Sequence, residues 1–181
     1  KAEEKIKEAM ALKYAFTSMV SHELRTPLAA IKEGIDIVRD GTAGTLNEDQ
    51  KDFLASAIRN VDRLGRLIND VLDYQKLDSG RMEFNMKEHN VNDLVRESQI
   101  SMESLAQNQG IELGLTLEEN LPKFLLDRDR IIQVLFNLIN NAIKFTEKGS
   151  ITLVTAREAN GVRVSVRDTG IGIRADDIPR L

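Results

Sequence analysis

The pattern of apolar and polar residues changes period once along the chain. From Lys1 to about Asp78 the apolar residues recur at helical spacing. At about 100° per residue, Val20, Leu24, Leu28, Ile31, Ile35 and Val38 fall in one stripe roughly 80° wide. GTAGTLNEDQ (41–50) interrupts the pattern with glycine and polar residues and predicts a turn. A second helix follows, with Phe53, Leu54, Ala57, Ile58, Val61, Leu64, Leu67, Ile68, Val71 and Leu72 on a broader apolar face. Two helices joined by a short turn make an antiparallel hairpin. One hairpin cannot cover a face this broad, so two are expected to pair as a four-helix bundle, a homodimer. The lysine- and glutamate-rich start, with Ile6, Met10, Lys13 and Tyr14 on one side, predicts a coiled-coil lead-in.

After the DSG turn at 78–80 the period shortens. MEFNMKEH predicts a strand, and VNDLVRESQISMESLAQNQG a helix closed by Gly110. IELGLTLEEN and PKFLLD predict two strands, and DRIIQVLFNLINNAIKF an apolar helix. SITLVTARE and VRVSVRD flank Asn160-Gly161, a hairpin signal. This second part predicts an α/β layer of mixed or antiparallel strands with helices on one face. The expected division is 1–78 and 79–181.

Composition narrows the chemistry. The 181 residues are 41% hydrophobic and 30% charged, which fits a folded chain rather than a disordered one. There are no cysteines, which removes disulfides and thiolate metal sites and suits a reducing compartment. With only His22 and His89, a multi-histidine zinc site is excluded. A net charge of −4 without a basic stripe argues against a nucleic-acid partner. No apolar run approaches the ~18 residues of a membrane span and no signal peptide is present. Residue 1 falls inside a helical pattern, so the chain is expected to be a piece of something longer.

SHELRTPL (21–28) places a histidine, a glutamate and a proline inside the first helix. His22 lies roughly 165° from the middle of the Val20–Val38 stripe and is expected to face solvent. Thr26 shares its face at i+4, and Glu23 lies to one side. Pro27 has no N–H for the carbonyl of Glu23, so a bend is expected there. Such a histidine is either a plain surface residue or a nucleophile. In the second case its lone-pair nitrogen attacks, and a neighbouring carboxylate fixes the tautomer and stabilises the developing charge.

In QVLFNLINNAIKFT, Asn137, Asn141 and Lys144 share one helical face, with Leu135, Leu138, Ile139 and Ala142 assigned to the other. The polar face is either simply solvated or a ligand surface. Asparagines are poor helix-interior residues, and their amide oxygens are neutral, hard ligands suited to Mg²⁺ beside phosphates, whose charge Lys144 can offset. In VRVSVRDTGIGI a strand delivers Asp168, and Gly170 and Gly172 let the backbone come close to a ligand, or merely make a tight turn. A carboxylate there suits an exocyclic amine such as that of adenine. Neither GxxxxGK[ST] nor GxGxxG occurs.

SHELRTPL resembles the H box of two-component sensor histidine kinases, NLINNAIKFT their N box and DTGIGI their G1 box. The order and spacing agree, and the match runs from about residue 10 to the end. The resemblance implies an α + α/β chain: a helical hairpin forming a dimeric four-helix bundle, then a partial Bergerat-type α/β sandwich that binds ATP. It implies that His22 attacks the γ-phosphate of Mg·ATP and passes the phosphoryl group to an aspartate in the receiver domain of a response regulator. Glu23 would be general base or orienter, and Thr26 would position water for dephosphorylating that partner. Asn141 would be the principal Mg²⁺ ligand, supported by Asn137. Lys144 would meet phosphate oxygens, Phe145 would lie near adenine, and Asp168 would accept from its amine in the loop of Gly170 and Gly172. Arg25 and Asn140 receive no role, and His89 is expected to be inert.

The family further implies a cytoplasmic location, with no membrane contact by this part and the question of an anchor elsewhere left open. Relatives continue past the G1 box with a lid and a second glycine-rich segment, absent from this sequence. Weak ATP binding is therefore expected of a polypeptide that ends at Leu181. Two other functions compete: a non-catalytic signalling dimer, and an ATPase of the gyrase and mismatch-repair type, whose members lack an H-box bundle.

Overall fold

The computed structural model describes the backbone of residues 2–178 and the side chains of residue 12 and residues 15–178. The lead-in positions Ile6, Met10, Lys13 and Tyr14 fall outside the described side chains. The chain forms two compact units, Lys1–Glu83 and Phe84–Leu181.

The first unit is a helical hairpin. Helix α1 runs Ala2–Arg39 without interruption, with Pro27 inside it. Proline removes one bond of the helical ladder, and the turns on either side sustain the rest. Helix α2, Glu48–Asp78, starts at Asn47 with a reciprocal cap: the Asn47 side chain accepts from the Gln50 N–H (2.8 Å), and the Gln50 side chain accepts from the Asn47 N–H (2.9 Å). The turn therefore ends before 48, and the last residues of GTAGTLNEDQ already belong to α2. Arg25 donates to the Asn69 carboxamide oxygen (2.9 Å) and Lys32 pairs with Asp62 (2.7 Å). The second pair lies two turns onward in α1 and two turns back in α2, which fixes the antiparallel register. Hydrogen bonding and charge from Asp62 hold the Lys32 ammonium above its ordinary pKa.

Among the described residues Ile68 is the only hydrophobic side chain of this hairpin that is buried. The others stay partly or largely open, including Leu64, Leu67, Val71 and Tyr74 at coiled-coil spacing on α2. Among the described residues no helix is long and apolar enough to cross a membrane.

The second unit holds β1 (Met86–His89), α3 (Val91–Asn108), β2 (Ile111–Thr116), β3 (Phe124–Asp127), α4 (Arg128–Phe145), β4 (Gly149–Glu158) and β5 (Gly161–Asp168). Strands β1 and β3 pair antiparallel. The main sheet has order β2-β4-β5, with β2 parallel and β5 antiparallel to β4, so the sheet is mixed. Strands β2 and β4 can run parallel because β3 and α4 lie between them in sequence. The core joins Val91, Val95, Met102 and Ala106 of α3 and Leu135, Ile139, Ala142 and Ile143 of α4 to Ile111, Leu113, Ile151 and Leu153 of the sheet.

The β4–β5 hairpin forms where Asn160-Gly161 pointed, by a different turn. Glu158 pairs with Gly161, so Ala159 and Asn160 make the loop and Gly161 opens β5. Neither Asn160 nor Gly161 has a positive φ, so this is not the primed turn that Asn-Gly favours.

Two polar arrangements tie the unit together. Asp127 caps α4 by accepting from the Asp129 and Arg130 N–H groups, and its other oxygen accepts from the Asn85 N–H (2.8 Å). The Asn85 bond is the foremost reason its pKa lies below the ordinary carboxylate value. Thr155, 3% exposed, donates to Asn92 Oδ1 (2.8 Å) and accepts from the Glu118 N–H (2.9 Å). Asn92 in turn donates to the Glu118 carbonyl (2.8 Å). This closed ring fastens α3 and the segment after β2 to β4. Thr155→Val keeps the shape but strands the buried Asn92 carboxamide oxygen and the Glu118 N–H, and is expected to cost about 1–3 kcal/mol in a urea melt.

Candidate functional site

Candidate residues occur in each of the two units, and each set stands within its own unit. In the hairpin, His22 is exposed, following a buried Ser21. Glu23 and Thr26 are exposed beside it. The Thr26 hydroxyl donates to the His22 carbonyl at 3.5 Å, a long back-bond of the kind that loosens a helix. No hydrogen bond joins the Glu23 carboxylate to the His22 ring. The imidazole is thus open to solvent. Arg25 faces α2 through Asn69. His89 is half-buried in β1 and pairs across to Phe124.

In the second unit a cavity of about 550 Å³ opens between α4, the end of β5 and the segment that follows. That volume suits a small-molecule ligand. Helix α4 contributes Leu138, Asn141, Ala142 and Phe145, which at i, i+3, i+4 and i+7 share one face. Val166 and Asp168 come from β5, and Ile171, Gly172 and Ile173 from the segment after it. Asp168 pairs across the ladder with Ile151, so its side chain points to the helix-covered face of the sheet and into this cavity. Its Oδ1 accepts from the Gly170 N–H (3.0 Å), which leaves Oδ2 for a ligand donor. Gly172 adopts φ 68° on the wall, a conformation glycine takes without steric cost.

The structure thus brings Asn141, Phe145, Asp168 and Gly172 around one space. Asn137 and Lys144 are exposed on α4 but do not line the cavity. The Lys144 ammonium sits 5.0 Å from the centre of the Phe145 ring. Gly170 is also off the wall: a Cβ there would collide with the carbonyl oxygen of Phe145, so its bare backbone makes room for the protein itself. Leu138 corrects the helical-wheel assignment: a wheel sets it opposite the asparagines, yet it lines the cavity with Asn141, while Ala142 touches the cavity wall and stays in the core as expected. Leu138 is 45% exposed, whereas Leu135 and Ile139 are in the core. The apolar wall as a whole escaped the sequence reading. Its signal was available in Leu138, Phe145, Ile171 and Ile173, which lie within the two quoted motifs.

The cavity pairs an apolar slot with the Asp168 carboxylate from β5 and the Asn141 carboxamide from α4, and Arg174 and Asp177 line it as well. An aromatic base with an exocyclic amine fits the first two features. Among the described residues no cluster of three His, Asp or Glu side chains exists to hold a metal. A divalent ion at Asn141 would therefore take most of its ligands from phosphate oxygens and water, which is the habit of Mg²⁺.

Comparison with known proteins agrees with this division. Residues 12–80 match the His Kinase A (phospho-acceptor) domain, and residues 126–181 match the histidine kinase-, DNA gyrase B- and HSP90-like ATPase family. Drug sensory protein A of Synechocystis is 38% identical over 176 residues, 91% of this chain and 26% of that protein, so the chain spans about a quarter of this relative. Full-length ShkA, solved with AMPPNP, superposes with a TM-score of 0.74 at 32% identity, over 89% of this chain and 34% of that one. Histidine kinase ThkA, solved with the response regulator TrrA, gives a TM-score of 0.60 at 28% identity, over 96% of this chain and 51% of that one. The phospho-acceptor domain at 12–80 and the ATPase domain at 126–181, in that order, place the chain in the two-component sensor histidine kinase family.

Proposed function

We propose that this chain is the core of an ATP-dependent autokinase that phosphorylates His22 and passes the group to a receiver-domain aspartate of a response regulator. The observation that carries this reading is the combination, in one chain, of an exposed histidine with a cavity built from Asn141, Phe145, Asp168 and Gly172. The unprotonated His22 nitrogen attacks the γ-phosphorus, a P–N bond forms, and the bond from that phosphorus to the β,γ-bridging oxygen breaks, with ADP leaving on the electron pair. Glu23 orients the ring and stabilises its positive charge. Phe145 and Leu138 hold the adenine, and Asp168 accepts from its amine. Asn141 holds Mg²⁺, with Asn137 nearby, and when bound the ion neutralises charge on the phosphates. Lys144 leaves the Phe145 ring to meet phosphate oxygens, and Gly170 and Gly172 shape the loop. In the reverse sense Thr26, once its hydroxyl leaves the His22 carbonyl, positions water for dephosphorylation of the regulator. ThkA bound to TrrA supports the partner class, and AMPPNP on ShkA supports the nucleotide. The reaction belongs on the cytoplasmic side of the membrane, where ATP and receiver domains are found.

Incubation of the intact protein with γ-labelled ATP tests this reading. Acid-labile, alkali-stable label that then moves to a receiver domain supports it. An absence of label, or acid-stable label, sinks it.

We further propose that the hairpin works as a homodimer, because among its described residues only one hydrophobic side chain is buried and the hairpin has no core of its own. Leu67→Glu puts a charge on the open α2 face, where Leu67 is 51% exposed. Sedimentation should show the wild type as a dimer and this variant shifted to monomer. A variant that remains a dimer of undiminished stability would argue that another face pairs.

A further inference from the structure

Thr169 lies between the Asp168 carboxylate and Gly170, and no chemistry has been assigned to it. Its side chain points away from the cavity, toward the start of β4. The Ser150 N–H donates to the Thr169 hydroxyl oxygen (3.1 Å), and the Thr169 N–H donates to the Ser150 carbonyl (3.2 Å). The β4–β5 ladder has its last regular pair at Ile151 and Asp168. Thr169 therefore adds one more rung, with its hydroxyl in the place of a backbone carbonyl. The rung sits where Gly149 has φ 129°, and a Cβ at Gly149 would overlap the Thr169 hydroxyl oxygen. A glycine at 149 thus lets the hydroxyl approach, and strain would oppose any side chain there.

The other end of the loop is fixed as well. The Ile171 N–H donates to the Phe145 carbonyl (3.1 Å), and Gly170 lies against the same carbonyl. Only Thr146, Glu147 and Lys148 separate Phe145 from Gly149. Asp168 is therefore clamped on both sides to the two ends of one short connection, α4 behind it and β4 beside it.

We infer that Thr169 is a positioning residue, whose hydroxyl, admitted by Gly149, holds the Asp168 carboxylate in register with the α4 wall and so sets selectivity for the 6-amino group of the purine. This rests on the proposed reading of Asp168 as the acceptor of the adenine amine. Loss of the hydroxyl frees the Ser150 N–H and removes one of the loop's ties to β4, so that Asp168 samples positions that miss the amine. A merely structural threonine would alter stability without altering which purine is preferred.

The test compares binding of ATP with binding of purine riboside triphosphate, which lacks the 6-amino group, in the intact protein. The variants are Thr169→Ala, Thr169→Val, Thr169→Ser and Asp168→Asn, each with its melting temperature measured. Thr169→Ala and Thr169→Val should weaken ATP about 10-fold and leave the analogue within about 2-fold, so that the preference for ATP collapses as it does in Asp168→Asn. KM for ATP should rise with kcat little changed, and Thr169→Ser should restore the preference. Two nonpolar variants guard against one that does not fold. If Asp168→Asn loses the preference and both nonpolar variants keep it, or if Thr169→Ser fails as they do, the positioning role is overturned and the adenine reading stands. If Asp168→Asn keeps the preference, the adenine reading fails and takes this inference with it.

Discussion

His22→Gln is expected to reduce phosphoryl incorporation from γ-labelled ATP by about 10³-fold or more, because on the proposed reading it removes the nucleophile itself rather than a supporting group. Glutamine is of similar size, is polar and tolerates a helix, and His22 is exposed, so the hairpin should fold and melt as before. The cavity lies in the other compact unit and is lined wholly by residues from 138 onward. Nucleotide affinity should therefore stay within about 2-fold of wild type, since distant, independent sites act additively. This pairing of results is diagnostic. A variant that loses label and nucleotide together would point to a general loss of structure, and one that keeps its label would place the acceptor elsewhere.

The sequence exposed those parts of the molecule whose physics repeats along the chain. Periodicity marked α1 and α2 because a one-sided apolar face recurs every 3.6 residues, and it marked β4 and β5 because β-branched residues favour strands. Contacts made once, between residues far apart in sequence, left no such trace. Thr155 reads as an ordinary strand residue, yet it closes a hydrogen-bonded ring with Asn92 and Glu118. Asn160-Gly161 signalled a hairpin correctly, but pairing of Glu158 with Gly161 moved the loop back one residue. In the candidate site, polar groups were legible because asparagine inside a helix is a costly choice that invites explanation, and because Asp168 stands at a strand end beside the Gly170-Ile171-Gly172 turn. The apolar wall was not, because Leu138 on a helix wheel looks like core until the sheet shows which side α4 presents to it. Gly149 was silent for a similar reason: its meaning appears only when the Thr169 hydroxyl is beside it.

Asn141→Ala is the second change expected to have a large effect, lowering autophosphorylation by about 10²–10³-fold. The argument begins from what surrounds the phosphates. With no cluster of carboxylates or histidines among the described residues, the Asn141 carboxamide oxygen is, on the proposed reading, the protein's principal hold on the metal. Asn141 is exposed on α4 and alanine is the better helix former, so α4 should be no less stable and the defect should not come from unfolding. The defect should also depend on magnesium. A titration of activity against Mg²⁺ should shift to higher concentration in Asn141→Ala and recover in part at saturation. Asn141→Asp separates ligation from charge: it keeps a hard oxygen but sets a negative charge beside the triphosphate, so nucleotide affinity without metal should fall while the ion itself is held more tightly. An Asn141→Ala enzyme whose Mg²⁺ titration overlays that of the wild type would remove Asn141 from the metal's coordination and leave it as a wall of the cavity.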